Sequence, residues 1–481
     1  MPAKRRYLVA HRYGPIVDSR TRSDLETFVA AAAGASVVRR TRVGRTVLEL
    51  THEQADELSR ANPRLVVEED SDLVPFAMPG LPPRVPTGET RRIAVEVVDA
   101  ADGKPLSGVT IYGVGGSLAY KAVTDARGSA VLEVQQPTLS HVVASPRDGF
   151  WSQILPGEAV QDTARFSLRA LLSHGGYDWG HRLLGIRAAQ RFWRGRGIRV
   201  AIVDSGISKG QDDLKPAGGV DTLDAEDPKS WDVDEKGHGT HVAGIVAGLD
   251  TKAGLLGGAP DAETFSVKVL PGGRLSDLVE AIEWCVAERM DVVNLSLGSR
   301  TSSEVLAGAL RDAYDRGLTC VAAAGNESGA VAFPASAPTV IAVGAVGKYG
   351  TFPEDSAHAL CATELADRRG ELFAAAFSNS GPKVELCAPG VAVLSTVPTG
   401  YSAWDGTSAA APFVTSLAAL VLEAYPHLRT GDESQPEAVR AVLRASAFDL
   451  GLPPEFQGAG LPSAIRALQA AAPRRFAESP R

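Results

Sequence analysis

An α/β fold is expected for the larger, C-terminal part of this chain, on three observations. Runs such as Val200-Ala201-Ile202-Val203, Val292-Val293-Asn294-Leu295 and Cys320-Val321-Ala322-Ala323 are continuously apolar, as parallel strands covered on both faces are. Residues 241–248 and 409–422 are small or apolar over helical lengths. The first run ends at Asp204-Ser205-Gly206 and the third leads into Gly325-Asn326, and open α/β sheets collect their functional groups at such strand ends.

The first 76 residues read as a separate α+β unit. Tyr7-Leu8-Val9-Ala10 is a strand, 24–33 a helix closed by Gly34, and 36–38 and 46–50 a strand pair. Thr51 with Gln54 three residues on caps a helix that runs to Asn62, and 64–70 is a last strand. The order β-α-β-β-α-β predicts a ferredoxin-like fold. Residues 77–90, rich in proline and glycine, form an extended linker. Between 91 and 170, short strand-like runs at 92–98, 109–114, 120–123, 130–134 and 141–144 alternate with turns such as Asp102-Gly103-Lys104-Pro105. They predict a small all-β unit, an antiparallel β-sandwich.

Residues 175–475 carry the chemistry. Asp204 closes the strand 198–203, and His238 sits between glycines in Gly237-His238-Gly239-Thr240-His241, at a helix start. Ser408 follows Gly406-Thr407 at the head of the apolar helix; alone it would read as an N-cap. A serine hydroxyl is a poor nucleophile at neutral pH, so it needs an imidazole to take its proton and a carboxylate to orient that imidazole. The three residues supply those roles. Asn326, a turn residue if taken alone, is the candidate amide donor to an oxyanion, beside the backbone N–H groups near Ser408.

From about residue 177 to about 468 these four segments together resemble the subtilisin-like serine proteases, the subtilases of peptidase family S8. The resemblance implies a serine endopeptidase that hydrolyses polypeptide substrates without a required cofactor. It places Ser296, Leu297 and Gly298 along a cleft where extended peptide pairs with a strand, and Ala323, Ala324 and Gly325 on one wall of a pocket roomy enough for a large apolar side chain. The first unit resembles the family's inhibitory propeptide, whose tail occupies the groove of a zymogen. Leu73-Val74-Pro75-Phe76 suits such a groove, so autocleavage is expected between Phe76 and Ala77. The β unit is similar to transthyretin-like or carboxypeptidase-regulatory-like modules, as a positioning domain or a spacer. A catalytically silent binding protein with the same shell is the alternative.

Three departures stand against that pattern. Ala409 follows the serine where many relatives have methionine. In the loop 249–255, Thr251 replaces a ligating asparagine and Lys252 adds positive charge; both argue against a structural calcium, which favours oxygen ligands and negative charge. Residues 347–373 look inserted and read as surface decoration, the alternatives being a loop that borders the cleft or docks a partner.

The net charge of −8 implies no general affinity for nucleic acid or anionic membrane, and no apolar run of about twenty residues predicts a membrane span. The start lacks the apolar stretch of a secretory signal, so a cytoplasmic chain is expected, or a secreted one if the start was trimmed. Cys285, Cys320, Cys361 and Cys387 demand no disulfide. His181, His358 and His427 are scattered without zinc spacing, His241 reads as structural, and Trp284 and Trp404 as core or cleft-wall aromatics.

Overall fold

The computed structural model describes residues 3–12, 35–75, 90–171, 177–224, 227–251 and 254–469, with positions 27, 31 and 86. The expected helix 24–33 apart from positions 27 and 31, the expected cut between Phe76 and Ala77, and most of the linker lie outside the described residues.

In the first unit, strands Arg5–His11, Ser36–Arg40, Thr46–Leu50 and Leu65–Glu69 form an antiparallel sheet in the order second, third, first, fourth. The helix His52–Ala61 opens with a reciprocal cap: Gln54 N donates to Thr51 Oγ1 at 3.3 Å and Thr51 N to Gln54 Oε1 at 3.0 Å. The first strand is apolar on both faces for a reason. Tyr7 and Val9 pack with Leu48, Leu50 and Leu58 of their own unit, whereas Leu8 and Ala10 join the core of the C-terminal unit.

The second unit has two sheets. Gln153–Pro156, His141–Ser145, Thr110–Gly115 and Leu118–Val123 form one; Thr163–Leu168, Arg91–Asp99 and Ser129–Val134 form the other. Ile93, Val97, Ile111, Tyr120, Leu132, Val142 and Phe166 fill the space between them. The expectation of antiparallel pairing throughout needs correction, because Thr163–Leu168 runs parallel to Arg91–Asp99. That strand buries only Ala164, Phe166 and Leu168 in alternation, too sparse a pattern to stand out in the sequence.

The C-terminal unit is built on an eight-stranded sheet. Its order is Gly218–Asp221, Glu263–Lys268, Arg199–Asp204, Val292–Leu295, Thr319–Ala323, Val340–Lys348 and Leu372–Ala374, with Leu386–Pro389 also beside Val340–Lys348. All pairings are parallel except that of Leu372–Ala374. Alternate residues of Arg199–Asp204 serve opposite faces. Val200 and Ile202 meet the helices His238–Ala247 and Thr407–Ala424; Ala201 and Val203 meet Leu275–Ala287 and Glu304–Asp315. The first unit's sheet rests on the second pair of helices.

By length and composition Thr407–Ala424 could cross a membrane, yet 89% of it is buried inside the protein, so its apolar character belongs to the core. The segment 347–373 is also corrected from decoration to structure. Leu372–Ala374 adds a strand to the main sheet, and Cys361, Leu372 and the fully buried Phe373 share the core of helix Thr407–Ala424. Phe373→Ala is expected to cost about 3–5 kcal/mol in urea unfolding. A loss within about 0.5 kcal/mol, usual for surface positions, would restore the decorative reading.

Candidate active site

Asp204 is fully buried at the end of its strand, where Oδ1 accepts Ser205 N at 2.7 Å and lies 2.7 Å from His238 Nδ1. The glycines around His238 make this approach possible. Gly237 turns with φ 76°, and a Cβ on Gly239 would lie 2.1 Å from Gly206 O, so no larger residue fits. The buried Asp234 ties the turn to the strand end. It accepts Ser205 Oγ at 2.9 Å, Gly237 N at 2.8 Å, Thr240 N at 2.9 Å and Thr240 Oγ1 at 2.7 Å, while Ser205 Oγ accepts Gly239 N at 3.0 Å.

Electrostatics separates the two histidines of this helix. Burial pushes the His238 pKa down, but the charge and hydrogen bond of Asp204 and the charge of Asp234 outweigh it and leave the value above 6.5. His241 falls to about 3, through burial and then the neighbouring His238. Its Nε2 lies 3.1 Å from Val393 O and 3.2 Å from Ser402 O, and its ring stacks on Trp404 with centroids 4.5 Å apart. The other neighbour of Trp404 is His238, at 6.1 Å and 20°. Trp404 thus puts the segment leading to Ser408 against the His238 ring.

Ser408 is the second residue of Thr407–Ala424, and this helix packs on His238–Ala247. Pro412, four residues on, has no N–H, so the Ser408 carbonyl lacks its helical donor. Ser296 Oγ replaces it at 3.0 Å; Ser296 Oγ in turn accepts Asn294 Nδ2 at 2.9 Å, and Thr415 Oγ1 donates to Asn294 Oδ1 at 2.9 Å. The Ser296 side chain is therefore fully buried and locks the serine to the strand instead of facing the cleft. Asn326 Oδ1 accepts Thr407 N at 2.9 Å and Thr407 Oγ1 at 2.8 Å, which anchors its acceptor end and assigns the NH2 end to donation.

Leu297–Gly298 pairs antiparallel with Val74–Pro75 of the first unit. On the other side of the same segment, Leu73 N donates to Gly273 O at 2.8 Å and Leu275 N to Ser71 O at 2.9 Å. Residues 71–75 thus lie as an extended strand between two segments of the C-terminal unit. Ala323 and Ala324 are fully buried, and Gly325, with φ 112°, donates its N–H to Thr407 Oγ1 at 3.1 Å.

Beside the loop 249–255, the carboxylate of Asp213 is taken up by protein donors. Asp213 accepts from Thr251 N at 2.7 Å, from Leu255 N at 3.3 Å and from the hydroxyls of Thr251 and Tyr401, so N–H and O–H donors occupy its oxygens. No group of three or more His, Cys, Asp or Glu residues suited to a metal occurs among the described residues.

Asp234, Asn294, Thr407 and Pro412 escape the sequence reading. Two carry a signal in retrospect: an asparagine inside an apolar strand, and a proline inside an apolar helix.

A parallel α/β sheet that brings a buried aspartate–histidine pair beside a serine-bearing helix defines a serine hydrolase. Residues 195–462 match the model of the Subtilase family. Subtilisin DY of Bacillus licheniformis is 37% identical over 268 residues, 54% of this chain and 86% of that protein. Subtilisin E of Bacillus subtilis is 38% identical over 268 residues, 54% of this chain and 62% of that protein. A thermostable alkaline protease of Halalkalibacterium halodurans is 37% identical over 298 residues, 60% and 73% of the two chains. The chain belongs to the subtilase family and is a serine endopeptidase, of a kind that needs no cofactor for catalysis.

The neutral fraction of His238 grows as pH rises through its raised pKa. In a Ser408→Ala chain followed by NMR, the His238 ring should titrate with a midpoint above 6.5, and Asp234→Asn should lower that midpoint. An unmoved midpoint contradicts the assigned role of Asp234. Ser296→Ala removes the hydroxyl that donates to the buried Ser408 carbonyl and should cost about 1–3 kcal/mol in chemical unfolding. Adding Pro412→Ala restores an N–H at the right turn and should recover part of the loss; a further, additive loss counts against this account.

Proposed function

We propose that Ser408 is the nucleophile, His238 the general base and then acid, Asp204 the residue that holds the imidazole, and Asn326 the oxyanion donor. With Nδ1–H directed at Asp204, Nε2 of His238 takes the serine proton as Oγ attacks the peptide carbonyl. The Asn326 amide, with backbone N–H donors near Ser408, holds the oxyanion. His238 passes the proton to the leaving amine, and water, activated by the same imidazole, releases the acyl group.

The chain is a zymogen in this reading, with residues 1–76 as an intramolecular inhibitor cleaved after Phe76. The pairing of Val74–Pro75 with Leu297–Gly298 carries it, because the residues just before Phe76 lie as a bound peptide would. Phe76 follows directly, and a large apolar side chain there agrees with the small residues Ala323, Ala324 and Gly325.

Electrostatic contacts support a tight inhibitor. Arg45, buried, meets Glu283 at 2.6 Å and Asp312 at 2.7 Å, and Arg39 meets Asp277 at 2.6 Å. Asp70 accepts Ser276 N at 2.8 Å in the first turn of Leu275–Ala287, and Glu68 accepts Glu304 N at 3.0 Å at the start of the next helix. Four unpaired, buried cysteines suit the cytoplasmic location included in this proposal.

Mass spectrometry of purified chains tests the processing. Wild type should yield a fragment beginning at Ala77 and Ser408→Ala should remain intact; an uncut wild type, or cutting in both, defeats the zymogen reading. After processing, a fluorophosphonate should label wild type and not Ser408→Ala, and Asn326→Ala should lower kcat by about 10²–10³, as losing one oxyanion donor typically does. Arg45→Ala removes the buried cation facing Glu283, which keeps Thr41 Oγ1 and Val43 N as donors, at a cost of up to about 3–5 kcal/mol in the complex, so free activity should appear earlier in an autoprocessing time course.

A further inference from the structure

The segment 347–373 contributes the histidine of a second buried histidine–aspartate pair. His358 lies on the short turn Ala357–Cys361, and its Nδ1 is 2.8 Å from both carboxylate oxygens of Asp405. The two side chains are 3% and 6% exposed. Asp405 stands three residues before Ser408, between the strand Gly400–Trp404 and the helix Thr407–Ala424. Its Oδ1 also accepts Ala392 N at 2.7 Å, and the Cys361 thiol reaches it as well.

The other contacts of the His358 ring lead out of the C-terminal unit. Trp151, of the second unit, meets the ring edge-on with centroids 5.7 Å apart, and Phe352 packs at 6.1 Å. Trp151 is held against this turn by its chain neighbours. Ala357 N donates to Ser152 Oγ at 3.2 Å, Gln153 Nε2 to Asp355 Oδ2 at 3.1 Å and Ile154 N to Asp355 O at 2.7 Å, while Arg169 pairs with Asp355. A continuous path therefore runs from the β unit through Trp151, His358 and Asp405 to the turn Gly406-Thr407-Ser408.

A buried carboxylate must be met by donors or it draws water and neighbouring groups out of place. Besides Ala392 N and the Cys361 thiol, Asp405 is met at both oxygens by His358, and the ring of His358 is held between Trp151 of the β unit and Phe352. We propose that His358 is a positioning residue for Ser408, acting through Asp405, and that the β unit spanning Arg91–Asp99 to Thr163–Leu168 sets it through Trp151. This unit is thereby a working part of the protease and not a spacer. The inference rests on Ser408 being the nucleophile.

The test uses the processed full chain, with kcat and KM on a peptide p-nitroanilide bearing a large apolar residue before the scissile bond, the rate of fluorophosphonate labelling, and Tm. His358→Leu removes the donor and should lower kcat and the labelling rate by up to about 10²-fold, the loss a misplaced reacting group brings, with KM nearly unchanged. His358→Asn, whose amide can donate from the place of Nδ1, should retain most of the rate. Asp405→Asn in the His358→Leu chain removes the buried charge that has lost its imidazole partner and should recover much of kcat. Trp151→Ala should lower kcat in the same sense, by less.

An unchanged kcat in folded His358→Leu overturns the proposal. So does a double variant no better than the single one, or a loss confined to KM. Should His358→Leu fail to fold, Trp151→Ala decides: an unchanged kcat and labelling rate in that folded chain refute the coupling. Turnover or labelling that persists in Ser408→Ala would instead refute the nucleophile assignment, so the two failures read differently.

Discussion

A missing side chain sets the distance on which the rest of the site depends. A methyl group at Gly239 would overlap Gly206 O and crowd Asp204, so only glycine lets the helix His238–Ala247 begin against the strand end. That approach gives the 2.7 Å contact between His238 and Asp204. With the imidazole fixed by its Nδ1, the opposite nitrogen is left for chemistry. Asp234 and Ser205 then hold the turn through backbone donors, so the same contacts that satisfy buried amides also fix the ring.

A comparable economy governs the serine. Pro412 interrupts the helical ladder at the Ser408 carbonyl, which Ser296 meets instead, and this exchange joins the helix bearing Ser408 to the strand that runs into Leu297–Gly298, the segment paired with Val74–Pro75. Proline inside a helix usually costs stability through an unmet carbonyl and a steric clash. Here the freed acceptor is met from another element, and the position of Ser408 becomes tied to the segment on which Val74–Pro75 lies.

The two faces of the main sheet divide the work. One face buries the helices that carry His238 and Ser408, together with the segment 347–373 and Trp151 of the β unit. The other carries Leu275–Ala287 and Glu304–Asp315, on which the first unit lays the apolar residues Leu8, Ala10, Val47 and Val66. Among the described residues, the first unit thus packs on the face opposite the helices that carry His238 and Ser408, and its residues 71–75 run between Leu297–Gly298 and Gly273–Leu275. Charges complete that contact: arginines of the first unit face acidic residues along one helix, and its own acids meet the amino ends of both. Loss of this unit would expose apolar and acidic surface without disturbing the face where the chemistry sits.

The sequence by itself determined the parts whose causes are local. Glycines flanking His238, the apolar run ending at Asp204, the Thr51–Gln54 cap and the alternation of Tyr7 to Ala10 each follow from backbone conformation or side-chain periodicity over a few residues. The candidate site was legible because each member sits in a short segment with its own constraint. Tertiary structure alone decided the rest. Ser296 meets Ser408 across 112 positions and His358 meets Asp405 across 47, through single polar atoms that leave no periodic trace. The parallel strand Thr163–Leu168 and the buried segment around Phe373 were hidden for a related reason: their few apolar residues gain meaning only from the surfaces that cover them. Local rules specify which shapes a segment can take, but a lone hydrogen bond or contact is chosen by which distant atom the completed fold brings within reach.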